Sequence, residues 1–439
     1  MNKLRNVFLF GAGAVLDWGA PSTPKLTKIV RESGFYTTNG KTRITEFIYQ
    51  TLINTSGYSE NDVNFETIIN IIEELMVYYS NHGLFKKNPA LIHDFFTPNF
   101  EDQILNFTVI KGNANHFKLN IPGISDEWAQ TNYNNDTPQQ FFLQQLLAHI
   151  LTEITIEIEH YCYHTTSKTN VLTEKNDEPN ITFQNWINKV NGYNVARMYT
   201  LNYDRNFKIL MERSKYTYSV FEGFDCSDVV AYGEKLRPNI KRILEDQNCH
   251  SHYNMHGSVF WRAEARNHNQ LELPEFFLSS FAHLEVNTDE YPTFQSERGK
   301  TIFLSNIITG YQKTQKGIFS PFKQMQSAFD RDCILGDTLY IIGYSFGDEH
   351  INSTIRTTIS ENDEIKIVIV DPSFTKGTFD QTVALRIFAS AKNLHQMQPK
   401  TLSHDKNIHV FFGGKITVHT KTFLQYMKDI LNDKLNYYG

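Results

Sequence analysis

Between residues 194 and 371 short apolar runs alternate with helix-like segments, and this alternation limits the possible folds more than any other feature of the chain. The runs cover residues 194–200, 218–221, 253–261, 301–305, 338–343 and 365–371, and residues 321–333 and 349–359 read as helices between them. Parallel strands need crossover connections, usually helices, so strands alternating with helices predict a mainly parallel sheet. The run Ile365-Lys366-Ile367-Val368-Ile369-Val370 is rich in β-branched residues and suits a central strand covered on both faces. An earlier strand is read at residues 6–10, followed by the tight turn Gly11-Ala12-Gly13-Ala14. Thr23-Pro24 then reads as a helix N-cap with proline at the first helical position. The expected class is α/β, a Rossmann-like doubly wound sheet with a helical insertion after the first βα unit.

The insertion spans residues 42–163. Ile44, Phe47, Ile48 and Leu52 share one helical face, as do Ile68, Ile71, Ile72, Leu75 and Tyr79. Thr137-Pro138-Gln139-Gln140 reads as a capping box opening a long helix through Phe142, Leu146, Ile150 and Ile154. Residues 165–180 are polar and read as an exposed loop. The expected organisation is a discontinuous main domain (1–41 and 164–375), the insertion (42–163), and a C-terminal α/β extension (376–439) packing on the main domain or on a partner.

A net charge of −6 does not favour non-specific attraction to nucleic acid. There is no apolar run of the roughly 18 residues that a membrane span needs. Cys162, Cys226, Cys249 and Cys333 are scattered with no Cys-x-x-Cys pair, which suits a reducing, cytoplasmic setting. Lys3 and Arg5 precede the apolar run 7–16, as in a short signal peptide. The run, however, holds two glycines, continues into Asp17-Trp18-Gly19 and has no small-x-small cleavage site, so it reads as a buried strand.

Five places carry candidate chemistry. Gly11, Ala12 and Gly13 form a strand–glycine–helix corner that can bring backbone N–H groups to a phosphate, or can be a simple turn. Asn202 and Asp204 follow a strand end, where open α/β sheets bind ligands, and can equally cap the next helix. His256, followed by Gly257, can act as a base near neutral pH or be an ordinary buried histidine. Gly343 and Ser345 form a second such corner that ends in Asp348, a pocket group or an N-cap. Asp371 can accept hydrogen bonds from ribose hydroxyls or cap a turn. Cys249, His250, His252 and His256 are close in sequence, but their spacing matches no common structural zinc pattern, and no metal is expected.

In their order these elements resemble the sirtuin superfamily, in its prokaryotic NAD-degrading, anti-phage branch. Gly11-Ala12-Gly13-Ala14 resembles the family's Gly-Ala-Gly loop, and Gly19-Ala20-Pro21-Ser22-Thr23 the Gly-hydrophobic-Pro segment after it. Leu201-Asn202-Tyr203-Asp204 resembles the Gln-Asn-x-Asp element, with Leu201 in place of Gln. His256-Gly257-Ser258 resembles the catalytic His-Gly motif, and Ile342-Gly343-Tyr344-Ser345-Phe346 the late Gly-Thr-Ser loop. Ser22-Thr23-Pro24 replaces the Asp-Phe-Arg of deacylating members, and their zinc-ribbon Cys-x-x-Cys pairs are missing.

The resemblance implies an NAD glycohydrolase with NAD as substrate and a doubly wound fold. It implies catalytic roles for His256 and Asn202, and cofactor contacts from Gly11, Ala12, Gly13, Asp204, Gly343, Ser345 and Asp371. It further implies an abortive-infection effector, a homo-oligomer gated by a partner or activator such as a helicase-like ATPase, a short Argonaute, a nucleotide-processing enzyme or a phage protein. The alternatives are a catalytically silent NAD or ADP-ribose sensor, and a deacylase without its zinc module.

Overall fold

The main sheet is built from Arg5–Phe10 (β1), Val195–Thr200 (β2), Val220–Phe221 (β3), His250–Asn254 (β4), Thr338–Ile342 (β5), Lys366–Val370 (β6), Lys400–Thr401 (β7), Ile408–Phe411 (β8) and Ile416–His419 (β9). These nine strands lie in the order β7-β8-β9-β6-β5-β1-β2-β4-β3. Every neighbouring pair from β3 to β9 is parallel, and β8 alone is reversed, pairing antiparallel with both β9 and β7. With the two-residue β3 set aside, the parallel part reads third-second-first-fourth-fifth-sixth, the order of dinucleotide-binding sheets. The chain leaves β1 for β2 on one side and later takes up β5 on the other. The carboxyl end of β1 is therefore the switch point where such sheets open a crevice.

This is a computed structural model, and it describes residues 4–55, 57–60, 62–79, 102–105, 107–109, 116–119, 128–129, 138–162, 177–216, 218–230, 233–264, 275–278, 293–297, 300–303, 305–309, 313–374, 400–401 and 407–432. The helices used below are Thr23–Glu32 (α1), Ile44–Thr55 (α2), Phe65–Tyr78 (α3), Pro138–Cys162 (α4), Asp177–Asn191 (α5), Asn206–Glu212 (α6), Phe322–Ile334 (α7), Glu349–Glu361 (α8) and Phe423–Leu431 (α9).

Alternation along β1 separates the two faces of the sheet. Phe8 stacks on Tyr340 of β5, and Phe10 stacks on Phe207 of α6. Trp186 of α5 and Phe423 of α9 close this aromatic layer, with ring centroids 5.1 Å apart. On the opposite face Tyr199 meets Phe329 of α7. Burying each such ring is worth roughly 1.5–3 kcal/mol. The chain's central strands thus need no polar face, and β2 is buried at all six positions.

Several expectations shift. The run 253–261 is not one strand: β4 ends at Asn254, the chain turns through Gly257 at φ 81°, and Trp261–Glu264 joins a separate four-stranded sheet. A side chain at Gly257 would overlap the Asn306 carbonyl, so packing demands the turn. Lys300–Phe303 belongs to a hairpin with Thr293–Glu297 rather than to the main sheet. The stretch expected as a helical insertion, 42–163, holds α2, α3 and α4 but also a small three-stranded sheet, Phe107–Val109, His116–Leu119 and Trp128–Ala129. Ser22, not Thr23, caps α1, accepting from the Lys25 N–H, with Pro24 inside the first turn. The long helix begins at Pro138 as expected, while Thr137 lies outside the described residues. Asp177–Asn191 takes in the end of the stretch expected as loop, and residues 163–176 lie outside the described residues. Of the C-terminal segment, residues 408–411 and 416–419 extend the main sheet, and 375–399 lie outside the described residues. Among the described residues no helix is long and apolar enough to cross a membrane.

Candidate functional site

A cavity of about 530 Å³ opens at the switch point. Its floor comes from the carboxyl ends of the strands: Gly11, Ala12 and Gly13 after β1, Asn202 after β2, His256 after β4, Gly343 and Ser345 after β5, and Asp371 after β6. Its walls come from the first turn of α1, from Asn64, Phe65 and Glu66 at the start of α3, and from Ile158 and Tyr161 of α4. Helices that lie between β1 and β2 in the chain therefore wall a cavity whose floor is the sheet.

The glycines do something other than the sequence suggests. The Gly11 N–H donates to the Ile342 carbonyl and the Gly13 N–H to the Gly343 carbonyl. A Cβ on Gly11 would overlap the Gly343 carbonyl oxygen, and one on Gly13 would lie 2.8 Å from the Gly343 Cα. The two glycine corners are thus packed against each other, and Gly343, at φ 61°, has no room for a side chain. These two amides are spent on protein carbonyls, so the expectation that they greet a phosphate is replaced by a packing role. Beyond the corner the chain forms a short 3-10 helix, Ala12–Trp18, which the sequence reading did not anticipate.

Asn202 is 7% exposed and lines the cavity. Its Nδ2 donates to the Gly11 carbonyl at 3.0 Å, and its own carbonyl accepts from Asn254 Nδ2 at 2.9 Å. The same Asn254 amide reaches the Asp204 carbonyl at 2.7 Å, so one side chain ties the loop after β2 to the end of β4. Asp204 itself departs from expectation. It lies outside the cavity lining, accepting from the Tyr161 hydroxyl at 2.8 Å and from the Asn206 N–H at 2.9 Å. Burial raises its pKa, and its work is to cap the first turn of α6 and anchor α4. Asp371 stays at the cavity, but its Oδ1 accepts from the Ser373 N–H and hydroxyl.

His256 is 4% exposed, and its Nε2 has no hydrogen-bond partner among the described residues. Burial pushes its pKa down to about 3; Lys313 and His350 act in the same direction and Asp348 against it. It is therefore neutral at pH 7, and the residue lines the cavity. The backbone locks its position: Met255 N–H donates to the Thr200 carbonyl, and the His256 carbonyl accepts from Ile308 N–H at 2.7 Å.

Two cavity groups had no signal in the sequence. Lys313 Nζ lies 2.7 Å from Glu66 Oε1 and 3.0 Å from Asp348 Oδ1. Lys313 is the one basic side chain among the described lining residues. Nothing in a polar loop marks one lysine over another, and Glu66 sits in a helix far away in the chain. Asp348, for which the sequence leaves open a pocket group or an N-cap, lines the cavity. Among the described residues no group of three or more His, Cys, Asp or Glu side chains is arranged to hold a metal ion.

Residues 196–394 match the family model of a SIR2-like domain. The matched stretch carries Asn202, His256, Gly343, Ser345 and Asp371, while the Gly11 loop precedes it. No curated protein matches the chain. The family match supports a sirtuin-like relationship and an NAD-related function.

Proposed function

We propose that the protein hydrolyses NAD, releasing nicotinamide and ADP-ribose. The observation that carries this reading is the buried His256, which lines a cavity at the switch point of a dinucleotide-type sheet and whose Nε2 has no hydrogen-bond partner among the described residues. NAD would lie with its diphosphate near the Gly11–Ala14 corner and the first turn of α1, whose N-terminal end favours anions. Asn202 would orient the nicotinamide riboside and the attacking water. Cleavage of the N-glycosidic bond builds positive charge on the ribose, and nicotinamide leaves as a neutral molecule, so no strong general acid is required. His256 takes a proton from a ribose hydroxyl or from water. Overall, NAD⁺ and water give nicotinamide, ADP-ribose and one proton.

An NADase without restraint would exhaust its own cell, so the activity is read as gated, by homo-oligomerisation or by a protein partner, in an anti-phage role. The test is to incubate the full chain with NAD, alone and with the product of its neighbouring gene, and to follow nicotinamide. His256→Ala and Asn202→Ala are expected to abolish release while the circular-dichroism spectrum is unchanged. Normal turnover by both variants would overturn the assignment. Tight ADP-ribose binding with no nicotinamide release would make the protein a sensor instead.

A further inference from the structure

Asn202 and His256 follow different strands, β2 and β4, and the loops that carry them are joined by side chains the proposed chemistry does not use. Asn254 is 2% exposed and Ser258 is fully buried, and the two flank His256 symmetrically in the chain. Asn254 Nδ2 donates to the Asn202 carbonyl at 2.9 Å and to the Asp204 carbonyl at 2.7 Å. Ser258 Oγ donates at 2.8 Å to the carbonyl between them, that of Tyr203, and the Val259 N–H reaches the same oxygen at 3.0 Å. The consecutive carbonyls of Asn202, Tyr203 and Asp204 thus all accept from the segment that carries His256.

Two carbonyls converging on one side chain need two N–H donors on one atom, which an asparagine amide has and an aspartate lacks. A buried carbonyl without a donor is costly, so this loop shape depends on both side chains. Asn202 is tied from its other side as well: its N–H donates to Thr200 Oγ1 at 3.0 Å, and its Nδ2 to the Gly11 carbonyl at 3.0 Å. A third segment closes the circuit. The Tyr203 hydroxyl donates to the Ile308 carbonyl at 3.3 Å, while the Ile308 N–H donates to the His256 carbonyl at 2.7 Å. Ile308 therefore bonds to both loops, and the Ser258 N–H is held at 3.0 Å by the neighbouring Asn306 carbonyl.

We propose that Asn254 and Ser258 are positioning residues, which fix the Asn202 loop against the His256 backbone so that both catalytic groups meet one substrate in a single geometry. The inference rests on the hydrolase reading. Neither Asn254 nor Ser258 lines the cavity, so they act through Asn202 and His256 and not on NAD itself. A misplacement of about 1 Å near reacting groups can cost on the order of 10²-fold in rate, and these bonds hold the loops against such a shift.

The experiment uses the full chain, under the conditions in which the wild type releases nicotinamide. Asn254→Ala is expected to lower kcat per folded molecule on the order of 10²-fold, with KM for NAD and the Kd for ADP-ribose little changed. Ser258→Ala should cost less, about tenfold, because the Tyr203 carbonyl keeps the Val259 N–H. Ser258→Thr retains the hydroxyl and should recover most of that loss. In NMR spectra the Asn202 side-chain amide should shift and exchange faster with solvent in Asn254→Ala. A purely structural role would lower the unfolding midpoint and leave kcat per folded molecule at the wild-type value. That outcome in both alanine variants, or an Asn202 amide that does not move, would overturn the proposal. Should Asn254→Ala not fold, Ser258→Ala against Ser258→Thr decides by the same two readouts. A wild-type chain that releases no nicotinamide would overturn the hydrolase reading alone, and the Asn202 amide would still decide whether Asn254 positions it.

Discussion

Two buried charge clusters flank the sheet, and they are built to different ends. Arg197 and Asp332 are both fully buried, joined at 2.5 Å, and Tyr199 Oη donates to the same carboxylate at 2.6 Å. Arg331 adds a bond to its other oxygen, and Arg197 also donates to the Cys249 and Asp246 carbonyls. Burial would raise Asp332, but Arg197 and its other donors keep the carboxyl below its ordinary value. No residue of this cluster lines the cavity. The Glu66–Lys313–Asp348 chain, by contrast, lines the cavity. Both clusters join segments far apart in sequence. Buried charge alone therefore does not mark a functional site; what separates the two clusters is that only one of them lines the cavity.

The comparison can be broken most forcefully at its structural member. Asp332→Ala strands Arg197 in the core, and losing one partner of a buried pair costs about 3–5 kcal/mol. Urea unfolding should show that loss, with turnover per folded molecule unchanged; a fall in turnover without a fall in stability would merge the two clusters.

Acid provides the next test. Burial lowers His252 to about 4 and His256 to about 3, against an ordinary 6.5. Because the folded values are depressed, the unfolded chain binds more protons below pH 6.5. The stability tied to neutral histidine is present above that pH and is lost as pH falls towards the folded values. The loss between pH 7 and pH 5 should be about 2 kcal/mol for each histidine. Glu222, which Arg205 and Lys208 hold down at about 2 against the effect of burial, should lose its contribution only below about pH 4.5. Stability that is flat from pH 7 to 5 would show that these histidines are not neutral and buried.

The smallest expected effect is at the glycine corners. Gly11→Ala forces a methyl group against the Gly343 backbone, and such overpacking costs about 1–3 kcal/mol. Melting temperature and ADP-ribose affinity should fall together. Lost affinity with unchanged stability would instead give Gly11 a direct ligand contact.

Much of the fold could be read from the sequence because its signals are local. β1, β2, β5 and β6 are short, apolar and bounded by turn residues, and their alternation with helices dictates parallel pairing. The reading failed where a contact distant in sequence decides the backbone. Gly257 turns because Asn306 lies against it, which ends β4 early. Asp204 and Asp371 show the same limit at the site, since a carboxylate after a strand fits both a ligand and a cap, and only its donors distinguish them.

The sequence by itself determined a parallel sheet with glycine corners at strand ends, because strand and turn preferences act over a few residues. Only the tertiary structure decided which groups meet. It brought Glu66, Lys313 and Asp348 from three separate segments to the cavity that His256 also lines, and it spent the Gly11 and Gly13 amides on the neighbouring corner. The physical reason is that hydrogen bonds, ion pairs and desolvation depend on distance in space, and nothing in residue order carries that distance.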